Sequence, residues 1–389
     1  MAVAALMLAI LAAVVAVTIH ATMPTFSLMV VRLVASELSA YLIVLELVAI
    51  VTALIAARDA ARIITVVIGL VGIVLAAAPL VALPGAIAAA DEALTGIGAT
   101  GQTAAFTPTQ LFTGIHPPPI HRVNDITFRT VDGVTLRLDR YDAAGAGPHP
   151  ALLVVHGGSW RSGTKGAGAL DPTIANEMFA AQGITVYDVQ YRLVPTATFP
   201  AQLEDVLCAL GHIRAHAAED AVDPERAAIL GRSAGAHLAL LAAYRADRDP
   251  TPPGCANPAR VRGVISLYGP TDLATGYRVP PVPDLIGGSA AIADFMGGSP
   301  DAVPERYAAA TPQNALDPPL PPTLLIHGQA DQVVKPYHSE SLAAALRRGG
   351  HEVALIELPW AGHGFDGIAW GIGGQLALAS MLRFLSYVL

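Results

Sequence analysis

The stretch that decides the fold is Ala228-Ile229-Leu230-Gly231-Arg232-Ser233-Ala234-Gly235-Ala236-His237-Leu238. An apolar run with strand character enters Gly231, Ser233 stands between two glycines, and an alanine-rich helix begins behind it. This is the G-x-S-x-G pattern in a strand–turn–helix setting. The turn is tight, so small residues must flank the serine, and its hydroxyl is lifted above the sheet edge. The helix aims its first N–H groups at the same point.

On both sides of this turn, strands alternate with helices. Ile126 to Val131 and Val134 to Tyr141 alternate about Asp132-Gly133, a hairpin signal. Apolar runs follow at 151–155, 184–189, 227–230, 261–268, 323–326 and 353–358. They read as buried strands. Helices are expected around 173–182, from Pro200 through Ile213, from the serine turn to about Ala246, and around 339–348 and 374–388. The expected fold class is therefore α/β, a mostly parallel sheet flanked by helices over residues 121–389. Residues 271–320 are irregular and rich in Pro and Gly. They read either as a cap over the site, with Tyr277, Leu285, Ile286, Phe295 and Met296 in its wall, or as a surface excursion.

A neutral serine needs a base, and the base needs an orienting group. On such a sheet the chain order is Ser, acid, His. His363 follows the last parallel strand in a glycine-flanked loop, and Asp331 follows the strand before it. The catalytic residues are therefore expected to be Ser233, Asp331 and His363. Asp272 is the competing acid, although its loop also reads as a helix cap. Asp366 is too near His363 in sequence to be the obvious orienter. His156 and His327 read as structural groups at strand ends, and His237 as buried packing. The oxyanion donors are expected at Ala234 and in the loop Gly157-Gly158-Ser159, where glycine lets the backbone approach a substrate.

With these stretches in place, the chain resembles the α/β-hydrolase superfamily, in its esterase/lipase branch related to hormone-sensitive lipase. The matching stretches are His156-Gly157-Gly158-Ser159-Trp160, Tyr191-Arg192-Leu193 with Phe199-Pro200 and Glu204-Asp205, Gly231-Arg232-Ser233-Ala234-Gly235, Tyr268-Gly269, His327-Gly328-Gln329-Ala330-Asp331 and Gly362-His363-Gly364-Phe365. The resemblance covers about residues 125–389. It implies hydrolysis of small-molecule or lipid carboxylic esters through an acyl-enzyme, with no cofactor and no metal. Two positions depart from the branch. Ser159 stands at its common third glycine, and Arg232 stands where it commonly carries an acid, which is expected to alter the charge at the serine turn. An acyltransferase or peptidase built on the same triad, and a non-catalytic binding protein on the same fold, are the competing readings.

The first third of the chain differs in kind. Hydrophobic residues make up 53% of the 389 residues and charged residues only 14%, and the excess lies in the first ninety or so. Apolar runs of about 20 residues lie at about 1–19, 38–57 and 63–83, each enough to cross a ~30 Å hydrocarbon core. Residues 1–87 are thus expected to be an all-α transmembrane anchor of about three helices. The Phe26–Ala35 segment is read as a link, and residues 88–120 as a Gly/Pro-rich linker that a cut near residue 120 would divide. Arg58 and Arg62 favour the cytoplasm for the link between the second and third runs. The expected protein is then a multi-pass protein of the cell membrane with its catalytic domain outside the cytoplasm. Glu46, in mid-span, is read as a protonated carboxyl bonded to a neighbouring helix. The net charge of −8 argues against a nucleic-acid partner. Cys208 and Cys255 are too few for a metal cluster and stand either as a disulfide or as two buried thiols.

Overall fold

The computed structural model describes residues 1–101, 106–166, 173–317 and 319–389. It opens with five helices: α1 (Ala2–Thr18), α2 (Phe26–Glu37), α3 (Ser39–Ala56), α4 (Asp59–Ala76) and α5 (Ala78–Gly96). Helices α1, α3 and α4 pack pairwise into a bundle. Its contacts are made by small residues: Ala5, Ala9, Ala12 and Ala16 of α1 and Ala49 and Ala53 of α3 are buried. Its large side chains, such as Met7, Leu11, Leu54, Ile55, Ile63 and Val74, point away from the bundle and are exposed. By length and composition, α3 and the stretch 60–96 are long and apolar enough to cross a membrane, and α1 is a shorter apolar helix. Glu46 is buried against Gly69 and Gly72 of α4, where a side chain at Gly72 would overlap its carboxyl. The hydrogen bond expected for Glu46 is absent among the described residues, because the surface it faces is glycine.

Two of the N-terminal helices belong to the body of the protein instead. Helix α5 lies along the sheet, burying Leu83, Ala86, Ala90 and Leu94 in one core with Ala354 and Ile356. The helix that holds the expected third span at 63–83 runs on past Ala77, which keeps helical dihedrals, so the expected linker at 88–120 is helical as far as Gly96. Leu111 of α6 (Gln110–Thr113) and Ile115 are buried in the same core. Residues 102–105 of that linker lie outside the described residues. Helix α2, capped by the Thr25 hydroxyl on Leu28 N–H at 3.3 Å, was read as a link and is a docked helix. At its end the Glu37 carboxylate accepts from Gly373 N–H at 2.6 Å and Gly374 N–H at 3.2 Å. Burial pushes that carboxyl up to about 8, against the pull of the two N–H groups.

The remaining elements follow the expected alternation: β1 (Arg122–Val131), β2 (Val134–Tyr141), β3 (His149–Val155), α7 (Thr173–Ala181), β4 (Thr185–Val189), α8 (Ala201–Ala215), β5 (Val222–Arg232), α9 (Ala234–Arg245) and β6 (Val261–Leu267). Between β6 and β7 (Thr323–Gly328) come α10 (Leu273–Arg278), α11 (Gly288–Met296) and α12 (Pro304–Ala309). Then α13 (Tyr337–Arg348), β8 (Val353–Leu358) and α14 (Ile372–Val388) close the chain. Asp132 and Gly133 have φ of 51° and 76°, the two positive values that a two-residue hairpin turn requires. The eight strands run β1-β2-β4-β3-β5-β6-β7-β8, antiparallel up to β4 and parallel from there on.

Strand alternation divides the core. Leu153, Val155 and Ile229 face α8, α9 and α13, whereas Leu152, Val154 and Leu230 face α5, α7 and α14. Cys208 of α8 and Cys255 form a disulfide, with Cα atoms 5.2 Å apart, which resolves the open choice.

Candidate active site

The parallel strands end together at one edge of the sheet, and the chemistry collects there. Ser233 sits between β5 and α9 with φ 54° and ψ −120°, a strained turn for a residue with a side chain. Both flanking glycines are required. A Cβ at Gly231 would lie 2.2 Å from the Gly235 oxygen, and one at Gly235 would lie 2.3 Å from the Val155 oxygen. The Ser233 hydroxyl is 2.9 Å from His363 Nε2, and His363 Nδ1 is 2.7 Å from Asp331 Oδ2. The other Asp331 oxygen accepts from Val333 N–H at 2.7 Å and Val334 N–H at 2.9 Å. Burial alone would raise the Asp331 carboxyl. The charge on His363 and hydrogen bonds from His327 and His363 outweigh it and hold the group below the usual carboxylate range.

Gly157 packs against this turn, its Cβ position 3.2 Å from that of Ser233. Gly158 and Ser159 take positive φ of 115° and 54°, and Ser159 and Ala234 line a pocket with Ser233. Of the four expected oxyanion residues, Gly157, Ser159 and Ala234 thus sit beside the serine, with Gly158 between the first two. The competing acid Asp272 is occupied elsewhere: it caps α10, accepting from Thr275 N–H at 2.9 Å and the Thr275 hydroxyl at 2.6 Å. His156 stacks on Tyr191 and bonds the Gly157 carbonyl, and buried His237 bonds the Ala310 carbonyl, both in the structural roles expected. His327 bonds the Ser339 hydroxyl and the Val334 carbonyl, with its ring 3.4 Å from Asp331.

Arg232 is buried, and its charge is met by Asp366, whose Oδ2 accepts from Arg232 Nε at 2.5 Å. Tyr268 donates to the other Asp366 oxygen, and its ring lies 4.6 Å from that of His363. The basic residue at the serine turn is thus neutralised by a carboxylate three residues beyond the base. Asp366, rejected as an orienter, holds Arg232 instead.

Contacts from far along the chain complete the site. Arg32 of α2 donates to the Ala330 carbonyl at 3.0 Å and to Gln332 at 3.1 Å. Gln332 also exchanges two hydrogen bonds with the Met23 backbone. The loop that carries Asp331 is therefore clamped by the turn between α1 and α2. No motif signals these pairings, because they join residues some 300 positions apart.

The model of one protein family, BD-FAE, matches residues 138–346, more than half of the chain and including Ser233 and Asp331. The chain belongs to the BD-FAE family. Curated relatives of this BD-FAE chain include Esterase LipC of Mycobacterium tuberculosis, 31% identical over 230 residues, 56% of this chain and 54% of that protein. Esterase LipQ of the same organism is 29% identical over 256 residues, 64% of this chain and 58% of that protein. The chain spans somewhat more than half the length of these relatives. Among solved structures, a bacterial heroin esterase superposes with a TM-score of 0.55 at 24% identity, covering 79% of this chain and 92% of that one. An esterase of Thermogutta terrifontis gives 0.54 at 23%, covering 69% and 94%. Those likenesses give the fold alone: a mostly parallel sheet with flanking helices, as in α/β-hydrolases.

Proposed function

We propose that this chain is a serine carboxylic ester hydrolase tethered to a membrane. The observation that carries the reading is the hydrogen-bonded line from Ser233 Oγ to His363 to Asp331, with the Gly158–Ser159 loop and Ala234 beside it. Ser233 Oγ attacks the ester carbonyl and His363 Nε2 takes its proton. Backbone N–H groups of Gly158, Ser159 and Ala234 receive the developing oxyanion. The intermediate then collapses to an acyl-serine, and His363 returns the proton to the departing alkoxide. Water, deprotonated by His363, attacks the acyl-serine and releases the acid, restoring Ser233. Asp331 fixes the imidazole with Nδ1–H inward and stabilises it when charged. That relatives such as LipC are esterases supports the same assignment.

The pocket beside Ser233 encloses about 50 Å³, room for a few water-sized groups. This favours short acyl chains. The full chain in detergent is expected to hydrolyse p-nitrophenyl acetate and butyrate, with kcat/KM falling beyond six carbons. Turnover by wild type no faster than by a Ser233→Ala blank at every chain length would remove the reading.

For the anchor, the outward large apolar side chains and the small-residue contacts of α1, α3 and α4 support three spans. The turn with Arg58 and Arg62 packs near Ala2 and Ala5, at the bundle end remote from the sheet. Positive charge at that end favours an extracytoplasmic catalytic domain, and the Cys208–Cys255 bridge suits an oxidising compartment. A reporter fused after Leu389 is expected to be active only outside the cytoplasm. Cytoplasmic activity of that fusion would invert the orientation.

A further inference from the structure

One wall of the pocket takes no part in the steps above. It is formed by Lys335, Tyr337 and His338, which line the pocket together with Ser233 and Ser159. His338 is 4% exposed, and its Nδ1 accepts from Thr271 N–H at 3.2 Å and Asp272 N–H at 3.4 Å. Two donors on Nδ1 fix the tautomer, so the ring proton is on Nε2. Burial pushes the imidazole down to about 3, so the ring is neutral and keeps that tautomer. No protein group among the described residues accepts from Nε2, which faces the space left by Gly276. A Cβ at Gly276 would lie 3.6 Å from that nitrogen. The Tyr337 ring stacks on His338 at 4.2 Å, and its buried hydroxyl also lacks a partner among the described residues.

Lys335 is the one charged residue among the described pocket-lining residues, and none of them is acidic. Lys335 and Pro336 lead directly into α13, a helix of twelve residues whose N-terminal end carries partial positive charge. Three acids lie nearby and each is engaged: Asp331 by His363, Val333 and Val334, Asp272 by Thr275, and Glu340 of the first turn of α13 by Glu357. A neutral acyl chain would leave the His338 N–H buried without a partner, at a cost to binding. A substrate oxygen would satisfy it.

We propose that Lys335, His338 and the first turn of α13 form a subsite for an anionic oxygen group, so that the preferred ester carries a carboxylate a few atoms from its carbonyl. The subsite deepens the ester-hydrolase reading and rests on it for turnover, though not for binding. The carboxylate can sit on the acid half or the alcohol half, and two pairs of isosteres separate these. Ethyl hydrogen succinate is compared with ethyl 4-methylpentanoate, and 3-acetoxypropanoate with 3-methylbutyl acetate, by the alcohol or acid released from the full chain.

In at least one pair the carboxylate ester is expected to exceed its neutral isostere at least tenfold in kcat/KM. Lys335→Met and His338→Leu are each expected to bring that ratio close to one, and Lys335→Arg to preserve it. Should His338→Leu fail to fold, Gly276→Ala covers the same nitrogen and is expected to lower the ratio. Calorimetric binding of the same esters to Ser233→Ala, with and without Lys335→Met, reads the subsite without turnover. Charge-selective binding by a protein whose wild type hydrolyses nothing would remove the hydrolase reading and leave the subsite. Absence of carboxylate preference in both pairs, or a preference that survives Lys335→Met and His338→Leu, would overturn the subsite.

Discussion

Asp331→Asn is expected to lower kcat by roughly 10⁴-fold and Ser233→Ala by roughly 10⁶-fold, with the fold intact in both. The asparagine argument is geometric. Its carbonyl oxygen can still accept from Val333 and Val334, so the loop keeps its shape. Its amide nitrogen then faces His363 Nδ1 and donates where the carboxylate accepted. The imidazole is driven to the tautomer with the proton on Nε2, facing the Ser233 hydroxyl, and can no longer take that hydroxyl's proton. The double variant is expected to be no slower than Ser233→Ala alone, because the two groups act as one unit. Steady-state kinetics on p-nitrophenyl butyrate, with circular dichroism as the folding control, reads both. An Asp331→Asn enzyme within tenfold of wild type would assign the acid to another residue.

The site was legible because tight geometry restricts residue choice. Only glycine fits at 231 and 235, where other backbone lies 2.2 to 2.3 Å from the Cβ position. The pattern around Ser233 is therefore visible without a structure. The parallel strands were legible as well, since burial on both faces makes residues 151–155 of β3 and 324–326 of β7 apolar without interruption. What stayed hidden was set by tertiary contact. Arg232 reads as a disturbance at the serine turn until Asp366 is seen beside it. His338 reads as one more helix residue until Thr271 and Asp272 fix its tautomer.

The N-terminal region misled for a different physical reason. An apolar helix looks the same in sequence whether lipid or protein covers it. Residues 66–90 carry no charged or hydroxyl side chain, yet α4 turns its large side chains away from protein while α5 buries Leu83 and Leu94 on the sheet. The change occurs at Ala77, where no charge marks it. Polar contacts would have marked it, but only in three dimensions: Arg383 of α14 pairs with Asp91 at 2.5 Å, donates to Thr95 at 2.8 Å and reaches the Ala99 carbonyl at 2.8 Å.

A chain cut at residue 120 is accordingly expected not to fold into an active domain. It lacks α5, whose Leu83 and Leu94, with Leu33 of α2, are nearly fully buried. At ~1.5 to 3 kcal/mol for each buried leucine, their loss removes roughly 5 to 9 kcal/mol. The whole stability of a domain is about 5 to 15 kcal/mol. Arg383 also loses the three partners that hold it. A chain beginning at residue 77 keeps α5 and is expected to fold, but without Arg32 and the Met23 backbone on the Asp331 loop its kcat should fall at least tenfold while KM changes little. Adding back residues 1–76 in the full chain restores kcat, so α2 and the turn before it steady the acid. Thermal unfolding and ester turnover of the three chains decide the matter. A cooperative transition and full activity from residues 120–389 alone would show that α2 and α5 are passengers.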